Sequence, residues 1–146
     1  MSTVRKLNES ALRGIYDAYM HEAFPPAELK PLAVMLRLME RGRYLCYGYY
    51  RNGRLAAYAF FYRHDSRVLL LDYFAVTPEL RGRGVGSDLL SRIEQAGREH
   101  GCRYALLNTF DFQGRDFYPK YGYRQIGEIQ GYPLTGSQHW FVKDLR

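Results

Sequence analysis

Cysteine is scarce: Cys46 and Cys102 are the two thiols in 146 residues, and they stand far apart. Both are expected as small buried apolar groups. Neither C-x-x-C nor H-E-x-x-H occurs, and His21, His64, His100 and His139 lack ligand spacing, so no metal site is expected. Residues 1–7 lack the apolar core of a signal peptide, and no segment approaches membrane-spanning length. A reducing, cytoplasmic setting away from membranes is the resulting expectation. There is no basic run either. Arg37, Arg41, Arg43, Arg51, Arg54, Arg63 and Arg67 are scattered, whereas nucleic-acid binding wants a concentrated stripe or a docking motif. Repeats, low-complexity tracts and linkers are absent, which leaves residues 1–146 to be read as one domain.

Hydrophobic content of 47% with 25% charged residues is that of a globular chain. Net charge is +6, a balance that fits an anionic ligand once nucleic acid is set aside. Fourteen tyrosines and eight phenylalanines are unusually many. Most are expected in strands with their hydroxyls at the surface, and a minority could line a pocket.

The pattern along the chain predicts an α/β or α+β protein with one phosphate-binding crossover. Residues 3–7 read as a strand. Asn8 caps a helix carrying Leu12, Ile15, Tyr16, Tyr19 and Met20, which Phe24-Pro25-Pro26 breaks. A second helix is expected from about Pro26, with Leu29, Leu32, Leu36 and Met39 on one face. Residues 43–51 and 55–63 form a hairpin about Asn52-Gly53. His64-Asp65-Ser66 turns the chain into a buried strand, Val68 to Val76. An amphipathic helix over residues 87–100 follows, then a strand over 104–109, a short helix over 113–121, and strands over 123–129 and 139–145.

Between the buried strand and the amphipathic helix lies Arg81-Gly82-Arg83-Gly84-Val85-Gly86. Strand, glycine-rich turn and helix together hold phosphate. Glycines let the backbone come close, N–H groups converge, and the helix start adds partial positive charge. An ATP-type loop would need Gly-Lys-Ser/Thr, but Gly86 runs directly into Ser87. A dinucleotide fingerprint fits in neither register, since the sixth position is Ser87 or Leu89. The pattern that does fit is Arg-x-x-Gly-x-Gly.

With the preceding strand end Asp72-Tyr73-Phe74-Ala75-Val76-Thr77-Pro78, this loop resembles the pyrophosphate loop of the GNAT superfamily, the acyl-CoA-dependent N-acyltransferases. Phe117-Tyr118-Pro119-Lys120-Tyr121-Gly122-Tyr123 is similar to a second signature of that superfamily, in the same chain order. The resemblance implies a twisted mixed sheet of six to seven strands with helices on both faces and two splayed central parallel strands. It also implies one N-acetyltransferase domain over residues 1–146, moving an acetyl group from acetyl-CoA to a primary amine of a small molecule or peptide without a metal. A homodimer is compatible with it.

Carried onto this chain, the resemblance gives backbone contacts from Phe74, Ala75 and Val76 to the pantetheine arm. The pyrophosphate falls to Gly82, Arg83, Gly84, Val85, Gly86 and Ser87, with charge from Arg81 and Arg83. Tyr118 matches the tyrosine that protonates the departing thiolate. Asp72, two residues before Phe74, is a candidate base, an orienter of the amine, or a partner of an arginine. Where many relatives place an asparagine to contact CoA, this chain has Asp111. Acceptor choice would come from residues 19–31 and 129–140, including Glu28, Tyr132 and Trp140. A non-catalytic acyl-CoA sensor keeping the same loop is the alternative reading.

Overall fold

A computed structural model describes residues 2–64, 67–110, 115–131 and 136–146. Asp111 and Tyr132, and the turn at Asp65-Ser66, lie outside the described residues. Strand β1 (Ser2–Lys6) leads to Asn8, whose side chain accepts a hydrogen bond from the Ala11 N–H at 2.9 Å. That cap starts α1 (Glu9–Ile15), which passes through a π-helical turn (Tyr16–Met20) into a last turn, α2 (His21–Ala23).

The expected second helix begins later than its apolar spacing suggested. Pro26–Glu28 forms only a 3₁₀ turn, and α3 spans Leu32–Glu40. Pro31 is the cause, because a residue before proline is driven out of the helical region. The hairpin forms as expected: β2 (Tyr44–Arg51) and β3 (Arg54–His64) meet at Asn52 and Gly53, with φ of 52° and 78°. Both positive angles suit the tight turn that matches strand twist. Strand β4 is Val68–Val76, α4 is Val85–Glu99 and β5 is Tyr104–Phe110. The described part of the expected helix over 113–121 is a 3₁₀ turn, Tyr118–Tyr121, ended by Gly122 at φ 91°. Strands β6 (Arg124–Gln130) and β7 (Ser137–Asp144) close the chain.

The seven strands are hydrogen-bonded in the order β1-β2-β3-β4-β5-β7-β6. The β4–β5 pair is parallel; the β1–β2, β2–β3, β5–β7 and β6–β7 pairs are antiparallel. The sheet is therefore mixed, as the resemblance implied. By contact density the chain divides into two units, Met1–Tyr62 with Tyr73–Ile93, and Arg63–Asp72 with Glu94–Arg146.

In the first unit Leu12, Ile15, Met20 and Met35 pack on Tyr44, Cys46, Tyr58 and Phe60 of β2 and β3. Tyr49 instead hydrogen-bonds Asp88 of α4 at 2.8 Å. Even and odd positions of a strand point to opposite faces, so helices cover both sides of β2. Several tyrosines lie inside rather than at the surface: Tyr44, Tyr49, Tyr58 and Tyr73 are buried. Each ring offers a large apolar area, and several hydroxyls find partners inside. Both cysteines are buried, and neither is in a disulfide.

The second unit packs Leu69 and Leu71 of β4 with Leu107 and Phe141 of β5 and β7. A Cβ at Gly97 of α4 would stand 2.7 Å from Leu69 Cδ1, so a side chain there would force the helix off the strand. No helix among the described residues is long and apolar enough to cross a membrane.

Candidate active site

The glycine-rich loop begins where β4 ends. Thr77 N–H donates to Ala56 O at 2.8 Å, and a 3₁₀ turn, Pro78–Leu80, steers the chain off the sheet. Arg81 Nε donates to Val76 O at 3.1 Å and so braces the strand end. Gly82 and Gly84 then take φ of 76° and 80°, the left-handed region that strains any residue with a Cβ. At both positions an added Cβ would meet nothing within 4 Å. Conformation, not crowding, is what demands glycine there.

Helix α4 closes its first turn with Asp88 N–H on Gly84 O at 3.1 Å. The N–H groups just before it, on Val85, Gly86 and Ser87, therefore have no helical acceptor and point out of the helix start. They carry the positive end of the helix dipole, a ready seat for an anion. Ser87 Oγ donates back to Gly84 O at 3.1 Å, which holds the loop and leaves Ser87 to offer its amide. Arg83, Gly84, Val85 and Asp88 also line a polar cavity of about 370 Å³ with Ser2, Tyr49 and Arg51. Sequence reasoning missed the part of Tyr49 and Arg51, because their strand is brought beside the loop only by the fold.

The parallel ladder between β4 and β5 runs from Val68–Tyr104 to Leu71–Leu107 and ends there, although β4 continues to Val76 and β5 to Phe110. Asp72 is the first residue of β4 past that end, and Phe74, Ala75 and Val76 follow; all four are half-buried. The parallel pairing thus stops before Phe74, Ala75 and Val76, the residues that the resemblance assigned to the pantetheine arm.

Between Asp72 and Phe74, Tyr73 turned out to be a structural staple that the sequence did not announce. Its hydroxyl donates to Glu28 O at 2.6 Å and accepts from Lys30 N–H at 2.8 Å. Tyr16 donates to Lys30 O at 2.9 Å. The backbone between the 3₁₀ turn and α3 is thereby tied to β4. Tyr58, also in this unit, has a buried hydroxyl with no hydrogen-bond partner among the described residues. Burial and the Glu22 carboxylate push its ionisation up, partly offset by Arg81.

Tyr118 lies in the second unit and is 8% exposed. Its ring packs on Phe117 at 5.2 Å, Tyr123 at 5.6 Å and Phe141 at 6.3 Å between centroids. Burial pushes its phenol well above the ordinary tyrosine range, so at neutral pH it holds its proton. Trp140 of β7 is half-buried and lies opposite Asn108. Glu28 is half-buried in its 3₁₀ turn.

Residues 11–123 match the family model described as "Acetyltransferase (GNAT) family". The chain belongs to this family. It is 40% identical over 78 residues to the blasticidin-S acetyltransferase of Streptomyces morookaense, a stretch covering 53% of this chain and 57% of that protein. The chain thus spans less than two thirds of the length of the curated relatives it matches. Its fold superposes on the ribosomal-protein-S18-alanine N-acetyltransferase from Escherichia coli with a TM-score of 0.81 at 19% identity, over 99% of this chain and 94% of that one. An acetyltransferase from Salmonella typhimurium, solved with its cofactor acetyl-CoA, gives a TM-score of 0.79 at 17% identity, over 99% and 94% of the two chains.

Proposed function

We propose that residues 1–146 form an N-acetyltransferase domain that moves an acetyl group from acetyl-CoA to a primary amine by direct attack, with both substrates bound at once. The observation that carries this reading is the pair of left-handed glycines, Gly82 and Gly84, opening a helix whose first amides have no helical acceptor. Amide donors with two nearby guanidiniums, on Arg81 and Arg83, fit a diphosphate, and none of them offers a magnesium ligand of the ATP-loop kind. Family membership supports the same cofactor.

Acetyl-CoA supplies the acyl group as a thioester. The amides of Gly82, Arg83, Gly84, Val85, Gly86 and Ser87 hold its diphosphate. Backbone groups of Phe74, Ala75 and Val76 pair with the pantetheine arm, and one of their N–H groups polarises the thioester carbonyl. Tyr118 donates its proton to the thiolate as the C–S bond breaks; because a thiol near pKa ~8.5 is a stronger acid than a phenol, the transfer depends on the two being held in contact. Asp72 orients the incoming amine or takes its proton through water. No covalent enzyme intermediate is needed, because the binding site itself brings the reactants together. The acceptor is an amine of a small molecule or peptide. The relatives' names support this class, since one acts on blasticidin S and others on thialysine.

The test is a thermal-shift titration with acetyl-CoA followed by release of free thiol across a panel of polyamines, amino sugars and lysine-like amines. At a ligand concentration of about a hundred times Kd, binding adds about 2.7 kcal/mol of stability. A shift with turnover of at least one amine class supports the reading. Binding without any turnover would favour an acyl-CoA sensor, and the absence of both would remove the acyl-CoA reading.

A further inference from the structure

Behind Tyr118 lies a buried charged cluster that the transfer step does not use. Glu94, on α4, is 6% exposed. Its two carboxylate oxygens are each taken by a different donor: Tyr123 Oη at 2.9 Å and Lys143 Nζ at 2.8 Å. Lys143 also lies over the Tyr123 ring, 5.6 Å from its centroid. A Cβ on Gly122 would come within 3.3 Å of Lys143 Cε, so the lysine stem is laid against the point where the Tyr118 turn ends. Tyr123 N–H donates to Tyr118 O at 3.3 Å, and the two rings meet edge to face.

These contacts run in one direction. The 3₁₀ turn carrying Tyr118 is four residues long, too short to hold a side chain by its own hydrogen bonds. Besides its neighbour Phe117, the Tyr118 ring packs on a wall formed by Tyr123 and Phe141. Tyr123 is fixed in turn by Glu94, and Glu94 by Lys143. The two phenols are also set apart chemically. Burial alone raises Tyr118, whereas at Tyr123 the Glu94 charge and hydrogen bond add to burial. Tyr123 is committed as a donor to Glu94.

We infer that Tyr123, Glu94 and Lys143 form a positioning lock for Tyr118. None of the three touches the substrates; they act by holding the Tyr118 hydroxyl where the departing sulfur needs its proton. The inference rests on the reading of Tyr118 as the proton donor. A misplacement of about 1 Å in such a group can cost about a hundredfold in rate, so loosening the wall has a kinetic signature distinct from loss of stability.

The experiment is a double-mutant cycle with acetyl-CoA and the panel amine that turns over fastest, at a temperature where melting curves show every variant folded. Tyr123→Phe keeps the ring and removes the hydroxyl. It should lower kcat about tenfold and leave KM for acetyl-CoA within about twofold. In the Tyr118→Phe background the same change should cost nothing further, because a residue acting through Tyr118 has no effect once that hydroxyl is gone. Should Tyr123→Phe fail to fold, Lys143→Met repeats the cycle from the other oxygen of Glu94, with a loss of about threefold expected only when Tyr118 is present. Equal losses in both backgrounds, or an unchanged kcat in Tyr123→Phe, overturn the lock while leaving Tyr118 as donor. A Tyr118→Phe enzyme with unchanged kcat removes the donor reading and the lock with it.

Discussion

In the proposed reaction the glycine-rich loop and the Tyr118 turn play different chemical parts, and they are built on opposite principles. At the loop the proposed reagent is the backbone. Gly82 and Gly84 take left-handed angles, and what they present is a set of amides. At Tyr118 the backbone is a short turn and the proposed reagent is the side chain, packed on Tyr123 and Phe141 near an ion pair between α4 and β7. A backbone device tolerates almost any surrounding side chain but not the loss of a glycine. A side-chain device tolerates change at its turn but depends on distant neighbours.

Substitution at the loop should therefore give the largest effect. Gly84→Val places a β-branched residue at φ 80°, a conformation costing roughly 1–2 kcal/mol for an L-residue, so the loop is driven to another shape. CoA affinity should fall by about a hundredfold or more in calorimetry, with the circular dichroism spectrum preserved. Retained affinity would show that the glycine geometry is incidental. Tyr118→Phe should do the converse, lowering kcat by about a hundredfold with CoA affinity within about twofold. A parallel loss of CoA binding would mean that the two ends are not separable in function.

That contrast also explains what the sequence could and could not reveal. A backbone device is local, so the alternate glycines at 82, 84 and 86 between an apolar strand and an amphipathic helix were legible at once. Strand β4 and the Asn52-Gly53 hairpin were legible for the same reason: period and turn chemistry sit within a few residues. The start of α3 was misplaced because the apolar spacing from Leu29 continued through Pro31, whose steric veto outweighs periodicity. The Glu94–Lys143 pair and the Tyr73 bonds to the backbone of Glu28 and Lys30 join residues more than forty positions apart, and no local pattern encodes them. The tyrosine-rich composition was visible, but which hydroxyls would be buried was not.

Smaller effects sharpen the comparison. Arg83→Ala removes charge but no amide, so CoA affinity should weaken only about tenfold at low salt, and by less at high ionic strength. An effect as large as that of Gly84→Val would shift the weight from backbone to side chain. The side-chain end should instead show itself in alkali. Tyr58, Tyr118 and Tyr123 are all raised above the ordinary phenol value of 10.0. Above that value the unfolded chain loses these protons while the folded chain keeps them. Stability is thus fully present below pH ~10 and falls as pH rises, by about 1.4 kcal/mol per pH unit for each phenol. Melting temperatures measured from pH 9 to 11 should drop steeply, and Tyr123→Phe should flatten that slope by about a third. An unaltered slope would mean that Tyr123 ionises freely in the folded protein.

The most direct measurement is a crystal structure with bound CoA. The account predicts diphosphate oxygens within about 3 Å of the amide nitrogens between Gly82 and Ser87, with the sulfur end of the arm beside the Tyr118 hydroxyl. A coenzyme seated elsewhere, or a diphosphate held by arginine side chains with those amides facing water, would contradict it.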